Sequence, residues 1–430
     1  MLAWAPKLLL LFFLLSGLIK AISLYININL NYVFIPLLIL ASLFYMLINR
    51  TIKMKAQGAC FIFFFSISAI LFLVNNIVVN NIYTQLQLML AVTIQYIFPI
   101  IIICLAGSGK LKLDIFDSLI NIITKLTFLS LLIFGLCVMY DSKMVEEFYS
   151  QLYNHGLIIN PFQTSEEGIT LRFSGIFSSG FILASYCCFA IIYYYFNKSV
   201  NRIKFAFLFV GFVIMVVLTY NRNGMLAFAV TSLFIMIHTY LRRYYLTLAN
   251  LYYVFLIGIL FIAPSFILYF GGGIQNSYSS IDYSAFTKLS TLFSRIDAWL
   301  QVLNINDVSR LLFGSGLVQG LGEDDMNFYV DNGYLYLLHQ SGLIALVLYI
   351  ATWSYMFISL SKNLKKRRNY NFVSVDEINM CLLLILVSFT LALLNNLFFE
   401  PVFLILVLMK CVTVNNKSSS IYEKNEQTYE

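Results

Sequence analysis

The sequence predicts an all-α, polytopic transmembrane bundle of about twelve spans with one large, partly helical external loop, and three observations predict it. The 430 residues are 60% hydrophobic and only 11% charged. Mean hydropathy is +0.84. Apolar runs of about 20 residues, the length that crosses about 30 Å of hydrocarbon, recur from end to end. A soluble domain carries roughly 25% charged residues, so a soluble enzyme, a disordered chain and a disulfide scaffold are all excluded. A net charge of +7 would suit nucleic acid in a soluble protein. Here the bases lie in short segments between apolar runs, where they set membrane orientation, and no nucleic-acid partner is implied.

In order, the runs are Leu8 to Leu24, Leu30 to Ile48, Gln57 to Asn75, Leu86 to Ala106, Leu119 to Tyr140, Ile176 to Phe196, Phe205 to Tyr220, Met225 to Leu241, Asn250 to Phe270, Gly333 to Leu360, Ile378 to Phe399 and Val402 to Val414. The first imitates a signal peptide, but no small-x-small cleavage site follows before Lys20 and Tyr25, so it reads as an uncleaved span. Nineteen of the 27 Lys and Arg residues fall on one side of this arrangement, including Arg202, Lys204, Arg242, Arg243, Lys362 and Lys365, against seven on the other. That bias puts both termini in the cytoplasm.

Two external segments exceed a turn, 141–172 and 271–332. Loops that long are usually functional. In the second, Phe286, Leu289, Leu292, Phe293, Ile296, Trp299, Leu300 and Leu303 recur at helical spacing, as an amphipathic helix on the membrane surface requires. The polar residues 415–430 read as a disordered cytoplasmic tail. All seven cysteines fall inside apolar runs without metal-ligand spacing, which points to neither disulfides nor zinc, and no metal is expected elsewhere. Gly314-Ser315-Gly316 lacks the strand-turn-helix setting of a nucleotide cradle and reads as turn chemistry.

Charge at the outer face is the anomaly. Arg172, Arg222 and Arg295 sit at helix ends on the side that positive residues avoid. Each could snorkel to lipid phosphates or pair with an acid. Together they offer three charge-fixed forks suited to the oxygens of a pyrophosphate. Asp331 precedes the tenth span, where it either caps the helix or orients or deprotonates a sugar hydroxyl. His339, about two turns into that span, either packs or faces a polar cavity.

These residues resemble a family. Arg172 with Gly175 in LRFSG, Arg222 in TYNRNG, Arg295 and Trp299 in SRIDAWLQ, and DNGYLYLLHQSGLIALVLYI at the loop exit are similar, in order and spacing, to the bacterial O-antigen polymerase and ligase superfamily, the Wzy-like glycosyltransferases of the type C class. The resemblance covers roughly Leu171 to Ile350. It implies a multi-pass inner-membrane enzyme without cofactor or metal. Donor and acceptor would be undecaprenyl-pyrophosphate-linked oligosaccharides, with a chain-length regulator and a flippase in the same membrane. It implies that Arg172, Arg222 and Arg295 bind pyrophosphate, with Asn332, His339 and Trp299 as acceptor or cavity contacts. The ligase branch carries a histidine where this chain has Asp331, so the resemblance favours a polymerase and makes Asp331 the nearest substitute for a catalytic base. The alternatives are a ligase of the same superfamily and a lipid-linked oligosaccharide flippase or other transporter. A transporter would place charge at the bilayer midplane and keep its outer loops short. A structural assembly partner would not need the arginines.

Overall fold

The computed structural model describes residues 15, 19, 22, 30–49, 56–79, 92–107, 113–154, 162–165, 168–197, 200–278, 308–316, 332–366, 375–394 and 406–415. The helices are α1 (Leu30–Asn49), α2 (Ala56–Val74), α3 (Phe98–Gly107), α4 (Leu113–Tyr140) and α5 (Ser142–Asn154), then α6 (Gly180–Phe196), α7 (Arg202–Leu218), α8 (Arg222–Tyr240) and α9 (Tyr245–Tyr278). They continue with α10 (Val308–Phe313), α11 (Gly333–Lys366), α12 (Val375–Leu394) and α13 (Leu406–Asn415). Among the described residues five helices are long and apolar enough to cross a membrane, and shorter apolar helices accompany them. The protein is an all-α, multi-pass membrane bundle, as its composition predicts. The described parts of the apolar runs from the second onward are mainly helical, with 176–179 and 219–220 forming turns, while most of the first run lies outside the described residues.

Burial sorts the helices. Ile182 to Tyr194 of α6, Ile378 to Ala392 of α12 and all of α13 are buried without interruption, the behaviour of helices that are apolar all round. α12 packs on α6, α8, α9 and α11, and α6 on α7 and α8. The peripheral helices turn apolar side chains outward, including Leu132 of α4 at 59% exposure and Phe207 of α7 at 71%. Such a belt is stable only in contact with hydrocarbon.

Lipid supplies no hydrophobic drive between helices, so close packing and interhelical hydrogen bonds hold the bundle. Thr124 Oγ1 lies 2.9 Å from the Tyr186 hydroxyl, which donates to Ile120 O at 3.1 Å, and Tyr194 donates to Asn121 Oδ1 at 2.8 Å, joining α4 to α6. Such bonds contribute about 0.6 kcal/mol each in a membrane bundle. At the other side of the core, Ser359 donates to Asn415 Oδ1 at 3.3 Å and Lys410 pairs with Glu377 at 3.9 Å, fixing α13 against α11 and α12. His238 of α8 lies between Tyr195 Oη at 2.9 Å and Asn379 Nδ2 at 3.2 Å. The amide nitrogen can only donate, so Nε2 accepts and the proton of the neutral ring sits on Nδ1. This end of the bundle also carries Arg242, paired with Asp376 at 3.4 Å.

The segment expected as the loop 141–172 is folded. Asp141 Oδ1 accepts from Lys143 N at 3.0 Å and so caps α5. A two-stranded antiparallel hairpin follows, β1 (Phe162–Ser165) with β2 (Gly168–Leu171), pairing Phe162 with Leu171. In the segment 271–332, α9 continues to Tyr278, past the predicted span end, and α10 occupies 308–313. The expected amphipathic helix around Arg295 and Trp299 lies outside the described residues, as do Asp331 and residues 416–430 of the tail.

α11 is interrupted at Gly342, whose φ of 77° and ψ of −179° belong to a region open essentially to glycine alone. A Cβ there would collide with the carbonyl of Leu312. Gly342→Ala should therefore destabilise the purified protein by about 1–3 kcal/mol or more, because the colliding atoms are backbone and cannot rotate away. Gly258, in α9, has open space around the same position. Gly258→Ala should match or exceed wild-type stability, with thermal unfolding in detergent as the measurement for both.

Candidate functional site

Among the described residues, two constellations of polar groups lie away from the basic end that carries Arg242, Lys362 and Lys365. The first surrounds Arg172 and Arg222. Leu171 ends β2 and packs against the face of α5 formed by Val145, Tyr149 and Leu152, together with Phe134 and Cys137 of α4. The next side chain in that strip, Phe173, is buried with its ring 4.8 Å from Phe134. Its backbone N–H donates to Leu218 O, the end of α7, at 2.9 Å. Tyr149 faces Ser174, and burial raises its pKa up to about 12, with the bond to Ser174 opposing the rise. The backbone on both sides of Arg172 is thus anchored, at Leu171 against α5 and at Phe173 on the end of α7.

The turn between α7 and α8 is equally fixed. Thr219 Oγ1 donates to Val216 O at 2.7 Å, and Asn221 N donates back to Thr219 Oγ1 at 3.2 Å. Tyr220 takes a positive φ of 47°. Asn221 Oδ1 accepts from Gly224 N at 2.8 Å and caps α8, so Arg222 is the first helical residue. On the facing side Ser179 Oγ accepts from Ile182 N at 3.3 Å and caps α6. Gly180 allows this cap to meet the turn, since a Cβ on it would stand 3.1 Å from Thr219 Cβ. The N-termini of α6 and α8 therefore lie side by side, and both present positive dipole ends.

Arg172 is half-buried and Arg222 exposed. Partial burial, and after it the positive charge of Arg222, press the pKa of Arg172 below the ordinary arginine value. The guanidinium nonetheless stays charged at any working pH. The fold thus brings together two of the three arginines singled out from the sequence, close enough to repel, beside two helix N-termini. Such an arrangement favours an anion with several oxygens. Arg295 lies outside the described residues, so its distance from the pair is not part of this geometry.

The second constellation is at the break in α11. Ser315 N donates to His339 O at 2.7 Å and Gly316 N to Gln340 O at 3.2 Å, satisfying carbonyls that the break releases. Ser315 Oγ donates to the same His339 O at 2.9 Å and lies 3.1 Å from its Nε2. Buried amides brace the crossing: Asn75 Nδ2 donates to Phe313 O at 2.7 Å, and Asn76 Nδ2 donates to Gly316 O. Gln340 Nε2 donates to Gln95 Oε1 at 3.1 Å, and Tyr96 Oη lies 3.3 Å from Ser341 Oγ. Asn75 and Gln95 both sit in π-helical turns, 75–79 and 93–97, a geometry frequent at functional sites.

Asn332 caps α11, its Oδ1 accepting from Tyr334 N at 3.0 Å and Leu335 N at 3.2 Å while its Nδ2 donates to Leu393 O at 3.0 Å. The capping considered for Asp331 is thus performed by its neighbour. The sequence reading missed the broken helix and its amide braces. The signals were present as Asn75-Asn76 inside an apolar run and as glycines at 314, 316 and 342. Among the described residues no group of three or more His, Cys, Asp or Glu could hold a metal ion.

Comparison with known families adds one result. Residues 205–350 match the Wzy_C family model, described as O-Antigen ligase. This span holds Arg222, α8, the break at Gly342 and the exit of the long segment. No curated protein matches the chain. A ligase-family segment over about a third of the chain, set in an all-α membrane bundle, supports the resemblance to the superfamily of O-antigen polymerases and ligases.

Proposed function

We propose that the protein is a surface-polysaccharide polymerase of the bacterial inner membrane, with both termini cytoplasmic, which joins undecaprenyl-pyrophosphate-linked repeat units on the outer face. The observation that carries this reading is the Arg172–Arg222 pair, two repelling cations, one in the strip between β2 and α6 and the other the first residue of the capped helix α8. Repulsion of that kind is offset by a polyanion. Arg242, Lys362 and Lys365 mark the opposite end of the bundle, which supports placing the pair outside.

In the reaction the acceptor sugar hydroxyl attacks the anomeric carbon of the donor. The C–O bond to pyrophosphate breaks, its electron pair leaves with the pyrophosphate, and the hydroxyl proton passes to a base, for which Asp331 is the candidate. Negative charge grows on the departing group, and fixed guanidiniums there stabilise the transition state more than the ground state. Arg295 would complete the set, and a chain-length regulator and a flippase would work beside the enzyme. The description of the matched family favours a second reading, a ligase that transfers the finished chain to its final acceptor. The carboxylate in place of the ligase histidine supports the polymerase.

Arg172→Ala, Arg222→Ala and Arg295→Ala should each lose about 10- to 150-fold in polymerisation rate, as removal of about 1.5–3 kcal/mol of charge-assisted bonding requires. Lysine should not rescue positions that need the fork. Rates measured with purified protein and a lipid-linked repeat unit test this, and full activity in all three variants would leave the arginines as lipid anchors. Deletion in cells should give surface glycan with a single repeat unit and no ladder, and Asp331→Asn should restore less of the ladder than wild type. Long chains held on the carrier would instead identify a ligase, and single units trapped on the inner leaflet a flippase.

A further inference from the structure

The 13 residues of α5 divide into three faces. Val145, Tyr149 and Leu152 are buried and pack with Phe134 and Cys137 of α4 and Leu171 of β2. Lys143, Glu146 and Glu147, at the i, i+3 and i+4 spacing of a second face, are exposed. Met144 and Phe148, four residues apart on a third, are apolar and yet 58% and 53% exposed.

The position of α5 is fixed by α4. Only Asp141 separates the two helices, and its Oδ1 accepts from Lys143 N at 3.0 Å and from Met144 N at 3.3 Å. Tyr149 meets Phe134 with ring centroids 6.2 Å apart. Phe134 lies about 9 Å along the axis before the end of α4 at Tyr140, so α5 folds back on the last two turns of a candidate membrane span. That depth matches the roughly 5–10 Å to which a helix lying in the membrane surface buries its apolar side. The exposed apolar side chains of α4, Leu129, Leu132, Ile133 and Leu136, continue along the chain through Met139 and Tyr140 to Met144 and Phe148.

We infer that α5 is a membrane-surface helix, with Met144 and Phe148 immersed in the hydrocarbon of the outer leaflet and Lys143, Glu146 and Glu147 in water. In water alone the helix would expose two large apolar side chains, and in hydrocarbon alone it would bury three charges. The boundary suits both faces. The third face packs with Leu171, the residue before Arg172, so the depth of α5 sets the height of that part of the site relative to the bilayer. This consequence rests on the reading of Arg172 and Arg222 as a pyrophosphate site. A lipid-linked pyrophosphate is held near the surface by its tail, and a site at matching height meets it without lifting the tail out of the bilayer.

Met144→Cys, Phe148→Cys, Glu146→Cys and Glu147→Cys, each in a cysteine-free full chain in phosphatidylcholine nanodiscs, carry a nitroxide whose collisions with oxygen and with a water-soluble nickel complex are read by electron paramagnetic resonance. Labels at 144 and 148 should meet mainly oxygen, and labels at 146 and 147 mainly nickel. Equal nickel access at all four overturns the membrane seating, and shielding of 144 and 148 from both reagents overturns it in favour of a protein partner. The height of the site is read with Met144→Glu combined with Phe148→Glu. Affinity for long-chain polyprenyl pyrophosphate should fall about 10-fold, while affinity for inorganic pyrophosphate should stay within about 2-fold of wild type. Equal loss for both ligands, or loss for neither, overturns the role in setting height. Wild type that binds neither ligand overturns the pyrophosphate site itself and leaves the result from the labels standing.

Discussion

Hydrocarbon offers no hydrogen bonds, and every backbone N–H and C=O inside it must be paired by the protein itself. This constraint shapes each irregular point of the bundle. Where α11 breaks, the carbonyls of His339 and Gln340 are taken up by the amides of Ser315 and Gly316, and buried asparagines hold the strand that supplies them. Where α7 turns into α8, Thr219 and Asn221 close the exposed groups within one short turn. A chain that satisfies its backbone with regular helix alone has no such places. Among the described residues this one maintains two at its non-basic end, with Arg172, Arg222 and Arg310 in or next to those segments.

Rigidity and charge are linked at the first place. The residue after Arg172, Phe173, packs on Phe134 and is tied to Leu218 O. Arg222 is the first residue of a capped helix. Neither backbone can retreat from the other, so the positive charge of Arg222 stays beside Arg172. On the proposed reading an anion bound there would offset that repulsion at groups carried on an anchored backbone, which limits the entropy lost on binding.

The architecture was legible because span length and apolar composition are dictated by the bilayer. The described parts of the runs from Leu30 onward are mainly helix, and the basic residues Arg242, Lys362 and Lys365 gather at one end. Helix starts were less legible: α6 begins at Gly180 rather than Ile176, because Ser179 supplies the cap and the residues before it bend to reach α7. Arg172 and Arg222 were recognisable as charges on the wrong side, but their adjacency depends on Gly180 packing against Thr219, a tertiary contact without local signature. The break at Gly342 escaped notice for a related reason. A glycine inside an apolar run reads as a tolerated helix residue, and only the approach of Leu312 to Gly316 gives it a purpose. Asn75-Asn76 was the available clue, since paired amides inside a span seldom face lipid.

The claim at the centre is that Arg172 and Arg222 form a preorganised polyanion site. The most direct measurement is the melting temperature of the purified protein with increasing inorganic pyrophosphate, which needs neither lipid tail nor sugar. Ligand at 100 times its Kd stabilises a folded protein by about 2.7 kcal/mol, so wild type should melt at a clearly higher temperature in saturating pyrophosphate. The increase should shrink in Arg172→Gln and in Arg222→Gln. An equal increase in wild type and both variants, or none in wild type, would contradict the account.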